Sequence, residues 1–174
     1  MRGSTVVSAR SGVLMLAVFC AGALSALAGG NIDGTNKYAW AENAGWINLG
    51  PTNGGVTVHV SDGLYLSCYA WAENVGWIKL GNDNGGPYQN TATNNWGVYV
   101  EGTAVKGFAW GENCGWIKFN PTHSQVRLDW ESGLFSGYAW AENLGWVHFS
   151  SAVAPTYGVY TTAKLPRGSV FILR

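Results

Sequence analysis

One stretch of twelve residues, written four times, limits what this chain can fold into more than any other property. It reads Tyr38-Ala-Trp-Ala-Glu-Asn-Ala-Gly-Trp-Ile-Asn-Leu49 and returns at Tyr69–Leu80, Phe108–Phe119 and Tyr138–Phe149. Eight of the ten tryptophans lie inside these copies. A unit that recurs every ~30–40 residues marks a repeat architecture, in which neighbouring units complete one another's core.

Within each copy, Glu-Asn-x-Gly separates two short alternating segments and reads as a tight hairpin. Asn suits the turn, and Gly can take the left-handed conformation that closes it. A three-residue loop, Asn-x-Gly, predicts that Glu pairs with the second Trp of each copy. In that register Tyr138, Trp140, Glu142 and Trp146 share one face, and Ala139, Ala141, Val147 and Phe149 share the other. A two-residue loop would regroup Tyr, Trp, Ile and Leu/Phe on a single face.

Between the copies run alternating segments: Val56-Thr-Val-His-Val60, Val98-Tyr-Val-Glu101 and Val126-Arg-Leu-Asp129, with Val159-Tyr160 after the last. Alternation with period two reads as half-buried strands. The repeat is therefore a three-strand unit. Strand A is the Val-x-Val run, strand B carries Tyr-Ala-Trp and strand C carries Gly-Trp-Ile. The order is offset. The first motif has no strand A before it, and the chain ends on a strand A followed by a B-like strand over 169–173. The expected fold class is all-β: four tandem antiparallel three-strand repeats in a closed propeller- or barrel-like ring, whose two ends complete one unit. The alternatives are a β-solenoid or an open stack, whose unpaired end strands would recruit a neighbour.

Residues 1–28 read as a secretory signal peptide: a basic start with Arg2 and Arg10, an apolar run over Val13–Leu24, and the small-x-small site Ala26-Leu27-Ala28. This leaves a single β-repeat domain over 29–174 and places it outside the cytoplasm, in the periplasm, at the cell surface or in the medium. Cleavage removes two of the ten basic residues and leaves ten acidic ones, a net charge near −2. With no basic patch, nucleic acid is not an expected partner. No stretch after residue 28 approaches the ~20 apolar residues of a membrane-spanning helix. Cys68 precedes its motif while Cys114 sits in a turn. In stacked repeats these levels differ by roughly 20 Å, so no bridge between them is expected.

The wording of the motif resembles the Gly-Tyr-Ala-Trp-x-Glu-Asn-x-Gly-Trp-Ile tryptophan-rich repeats of bacterial secreted or surface proteins. The resemblance covers nearly all of the chain after the signal segment. Lys37 and Cys68 stand where Gly107 and Gly137 give the usual leading glycine. The resemblance implies an exported repeat protein and supplies no activity or site to carry over. A looser similarity, to shorter Trp/Tyr-rich repeats that bind choline or cell-wall polymers, is analogy only.

The candidate binding residues are the recurrent ones: Trp40, Trp46, Trp71, Trp77, Trp110, Trp116, Trp140 and Trp146, with Glu42, Glu73, Glu112 and Glu142. Core or cross-strand packing is the expectation for most of the indoles. If exposed, they form a patch that calls for a partner. The four carboxylates are equivalent, whereas glycoside hydrolysis needs two in unlike environments. One Glu and one Asn per turn are too few for calcium. His59, His123 and His148 have no ligand spacing, and no nucleophile or phosphate motif is present. No metal, cofactor or catalytic residue is therefore expected. The expected function is a non-catalytic, exported structural or interaction protein at the cell surface, partnered by itself or other surface proteins and assembling into filaments through its end strands. The alternative is a carbohydrate-binding module that stacks polysaccharide on the motif tryptophans.

Overall fold

The computed structural model describes residues 30–166. The signal segment and the strand expected over 169–173 lie outside them. The described residues form fifteen strands. In chain order these are β1 (Ile32–Ala41), β2 (Gly45–Asn48), β3 (Thr57–His59), β4 (Tyr65–Ser67), β5 (Tyr69–Ala72), β6 (Gly76–Lys79) and β7 (Val98–Glu101). They continue as β8 (Ala104–Gly111), β9 (Gly115–Lys118), β10 (Val126–Leu128), β11 (Leu134–Ser136), β12 (Tyr138–Ala141), β13 (Gly145–His148), β14 (Ser150–Ser151) and β15 (Tyr157–Thr161).

Each motif is a hairpin, and the four hairpins pair edge to edge in the order β1-β2-β5-β6-β8-β9-β12-β13 and back to β1. The result is a closed eight-stranded antiparallel barrel. The register corrects the expected pairing of Glu with the second Trp. Trp40 faces Trp46 and Ala41 faces Gly45, and the other copies repeat this pairing. The loop between paired residues is Glu-Asn-x. Val75 N–H donates to Ala72 O, and Cys114 N–H to Gly111 O, both at 3.3 Å. A type I turn thus begins one residue earlier than expected, with Glu and Asn at its centre. The following Gly then takes the left-handed conformation, with φ between 69° and 80° in the four copies.

Sliding the loop by one residue moves both strands together, so the faces are unchanged. Ala39, Ala41, Ile47, Leu49 and their counterparts point inward and are buried, while the indoles point outward. The bore of an eight-stranded barrel is just wide enough for side chains to fill it, which suits Ala on one strand and Ile, Leu or Phe on the next. Gly111 replaces Ala in the third copy, where a Cβ would stand 2.5 Å from Cys114 Sγ. A void of about 20 Å³ lies in the bore, with an entirely apolar lining that includes Leu49, Leu80, Phe119 and Phe149. Cys114 is buried and free, so it is not bridged to Cys68.

Beyond the barrel, the B strands continue past a kink and pair with the A strands. Lys37, Cys68, Gly107 and Gly137 hold equivalent kink positions, and three of them have positive φ (68°, 90° and 82° for Cys68, Gly107 and Gly137). The second tier runs β3-β4-β7-β8-β10-β11-β15-β1. Its inner face (Val58, Leu66, Val100, Val105, Leu128, Phe135) joins the barrel core. The expected offset therefore closes within the chain, because β15, an A strand, pairs with β1, a B strand.

Among the described residues the second tier lacks one ladder, between β1 and β3, and a side chain bonds there instead. Val100, Leu128 and Thr161 each donate a backbone N–H to a main-chain carbonyl, of Leu64, Thr103 and Gly133, at 2.8–2.9 Å. Their counterpart Val58 donates instead to Asn31 Oδ1 at 2.7 Å, and Asn31 Nδ2 returns a 2.7 Å bond to Val58 O. Gly30 allows this approach: a Cβ there would meet Val56 O at 1.9 Å.

Candidate functional site: an outer belt of indoles

The repeated register places two tryptophans opposite each other on the outer wall of every hairpin. Their rings meet at steep angles: Trp40 with Trp46 at 4.9 Å and 74°, Trp71 with Trp77 at 4.9 Å and 66°, Trp110 with Trp116 at 4.7 Å and 60°, and Trp140 with Trp146 at 5.0 Å and 64°. Such edge-to-face pairs are worth about 0.5–1.5 kcal/mol beyond area burial. The expected cross-strand packing is present, but on the outside of the barrel rather than in its core. Six of the eight indoles are 36–45% exposed, and Trp110 and Trp146 are half-buried. All eight form a belt around the barrel.

The belt is not uniform. Tyr38 lies 6.2 Å from Trp46 at 74°, and Tyr157 lies 5.0 Å from it at 86°. Trp46 is thus met by three steeply angled rings. Trp116 has the same surroundings, with Phe108 at 6.0 Å and 77°, Trp96 at 5.0 Å and 85°, and Trp110. The third rings were not expected from the sequence. Tyr157 and Trp96 each precede, by two residues, the valine that opens a strand A, and Gly54 and Ser124 hold the same position in the other copies. Each of these linkers leads away from one copy and, where contacts are defined, lies over the second Trp of the next. A Cβ on Gly54 would come within 3.0 Å of Trp77. The spacing to the valine was the available signal.

The turn residues form the rim. Glu42, Glu73, Glu112 and Glu142 are all exposed there. Only Glu42 has a partner among the described residues, accepting Trp146 N–H at 3.0 Å. The motif asparagines form a relay: Asn74, Asn113 and Asn143 donate to the turn carbonyls of Ala44, Val75 and Cys114, at 3.0, 3.1 and 3.4 Å. Outward positions beside the indoles carry Asn48, Lys79, Lys118 and His148, each paired across a hairpin junction with the next copy's first Trp. Lys37 and Lys79 stand 5.8 Å from the rings of Tyr38 and Tyr69.

Elsewhere, Ser67, His59 and Asp62 come together on the second tier, a grouping that sequence spacing did not show. Ser67 Oγ lies 2.8 Å from His59 Nε2. Asp62 stands 3.8 Å from His59 Nδ1, beyond hydrogen-bond reach, and instead accepts the Tyr65 hydroxyl at 3.0 Å. Burial holds the His59 pKa below its usual value despite the opposing charge of Asp62. A Ser-His-Asp relay is broken at its second link. His148 bonds the Tyr157 hydroxyl at 2.8 Å, and His123 is exposed in a loop. No group of three or more His, Cys, Asp or Glu gathers among the described residues. Comparison of the chain with protein-family models, curated proteins and solved structures finds no match.

Proposed function

We propose that this protein is a non-catalytic, exported β-repeat module that works at the cell surface by holding a partner against its outer aromatic belt. One observation carries the reading: all eight motif indoles stand on the outer wall of a barrel whose interior is already filled. A soluble barrel is stabilised by its inner face, so apolar rings on the outside call for another explanation. Of the two interaction modes expected from the sequence, the belt is preferred over the end strands, because β1 and β15 pair with each other. The four rim carboxylates are all exposed, and among the described residues only Glu42 has a partner, a backbone N–H, which supports a binding role over acid–base chemistry.

The test separates export from attachment. Cells producing the full chain are fractionated alongside cells producing a Trp40→Ser/Trp140→Ser variant. Both proteins should leave the cytoplasm, and the variant should pass from the surface fraction into the medium. Equal surface retention would sink the belt reading, and retention in the cytoplasm would sink the export reading. Carbohydrate is the second reading, favoured by the amide and ammonium groups of Asn48, Lys79 and Lys118 interleaved with the rings.

A further inference from the structure

We propose that the belt carries two principal glycan-stacking sites on opposite sides of the barrel, centred on Trp46 and Trp116, and that the protein bridges two polysaccharide chains. This rests on the belt being the interaction surface and adds the ligand class and the valency. The ligand is a neutral or acidic polymer of all-equatorial hexopyranose units, whose axial C–H groups form flat apolar faces suited to an indole.

Three observations select this occupant. The first is area. The clusters at Trp46 and Trp116 each offer four rings, each no more than about half exposed. A large aromatic side chain presents roughly 150–250 Å² in all, so such a cluster supplies about 300–400 Å². That falls well short of the ~800 Å² per partner of a stable protein interface, yet it suits one or two sugar rings held between aromatic faces and a few polar groups. A second copy of the chain and an unrelated protein are both disfavoured on this ground.

The second observation is direction. The four hairpins repeat with the same register around a closed eight-stranded barrel, so successive clusters turn by about 90° about its axis. Copies one and three, the two in which an extra ring from a preceding linker completes the aromatic corner, therefore face opposite ways. A flat surface such as a membrane could engage only one side at a time. Two flexible or separate chains can be held at once.

The third observation is charge. Lys37 lies at Tyr38 in the first cluster and Lys118 pairs with Phe108 in the third, whereas Lys79, over Tyr69 in the second, is ion-paired with Asp83. Ammonium groups beside the rings oppose a cationic ligand and favour a neutral or anionic one. In Trp46 and Trp116 an indole that remains 41% and 45% exposed is met by three steeply angled rings. This is a preorganised corner, whose rings lose little freedom on binding.

The test uses the mature chain labelled with ¹⁵N at tryptophan, titrated with cellohexaose, chitohexaose and the cationic glucosamine hexamer. The indole N–H signals of Trp46 and Trp116 should move most with the first two sugars and little with the third. Trp130, whose Nε1–H is held by Gly102 O at 2.8 Å, should stay still. With long hydroxyethyl cellulose, light scattering should report bridging by the native protein. Trp46→Ala or Trp116→Ala alone should keep binding but lose bridging, with apparent affinity for the polymer falling at least tenfold as avidity is lost. The titration of the native chain stands even if a variant fails to fold. Silent indoles with all three sugars, equal shifts in all four copies, or preference for the cationic hexamer would each overturn the proposal. If the sugars are silent while the Trp40→Ser/Trp140→Ser variant still leaves the cell surface, the glycan inference fails and the belt reading stands. If that variant stays attached, the belt reading fails with it.

Discussion

The barrel has four junctions between hairpins, three between consecutive copies and one between the last copy and the first, and the two kinds are built differently. All four share a register, in which Asn48, Lys79, Lys118 and His148 face Trp71, Trp110, Trp140 and Trp40. At the three sequential junctions the hairpin tips are tied by an asparagine amide reaching a neighbour's turn carbonyl. At the closing junction the turns themselves pair: Asn43 N–H donates to Leu144 O and Glu42 N–H to Trp146 O, both at 3.1 Å, while Glu42 Oε2 accepts Trp146 N–H. Leu144 there is fully buried, as are its smaller counterparts Ala44 and Cys114, while Val75 is half-buried. Copies joined by a linker are held close by the chain, so a side-chain tie suffices. The first and last copies have no such linker, and the extra contacts gather where the ring must close against chain entropy.

The comparison can be broken most severely at Leu144. Leu144→Ala should cost about 2–5 kcal/mol, whereas Val75→Ala at a sequential junction should cost about 1 kcal/mol, both read by chemical denaturation. Comparable losses would show that the junctions are energetically alike. Next comes the second-tier closure. Asn31→Ala leaves the N–H and C=O of buried Val58 without partners and should cost about 2–3 kcal/mol. A loss under ~0.5 kcal/mol would mean that water replaces the amide readily. The asparagines give a finer contrast. Asn113→Ala should cost about 1 kcal/mol, and Asn43→Ala, whose backbone makes the closing contact, less than ~0.5 kcal/mol; the reverse order would refute the division of labour.

The smallest effect is in pH. Burial holds the His148 pKa below its ordinary value, and this residue faces Trp40 across the closing junction. The unfolded chain therefore binds the proton more readily. Stability is complete above pH ~6.5 and declines as pH falls from there toward the depressed value. His59 adds a loss of the same sign on the second tier. His148→Asn should flatten part of this slope in thermal melts between neutral and mildly acid pH. An unchanged slope would place the whole effect at His59.

The division of faces was legible in the sequence because strand side chains alternate strictly, and it survived an error in the loop. The expected pairing of Glu142 with Trp146 and the observed pairing of Trp140 with Trp146 differ by one residue on each strand combined into a two-residue step, which preserves the faces. The ring closure was legible from the A-strand offset. The second tier was not, because its kink falls at Lys37, Cys68, Gly107 and Gly137, where the B strand looks continuous in sequence. The fate of the indoles was not legible either. Both faces of the hairpin are apolar in composition, and only the narrow bore decides that alanine goes inside and tryptophan outside. The role of Asn31 lay hidden because one side-chain amide stands in for a backbone segment, and no periodicity announces such a substitution.

Asn31 also has a temporal consequence. Its main-chain carbonyl takes the Thr161 hydroxyl at 2.8 Å across 130 residues of sequence, while its amide holds Val58. A chain delivered amino end first, from a ribosome or through a translocation pore, holds one half of this clasp from the beginning and receives the other half at the end. Until then the second tier stays open along β1, although the barrel below it can close as soon as β13 reaches that strand. The two tiers therefore close in sequence, and the beginning of the chain is fully clasped only after the barrel is shut.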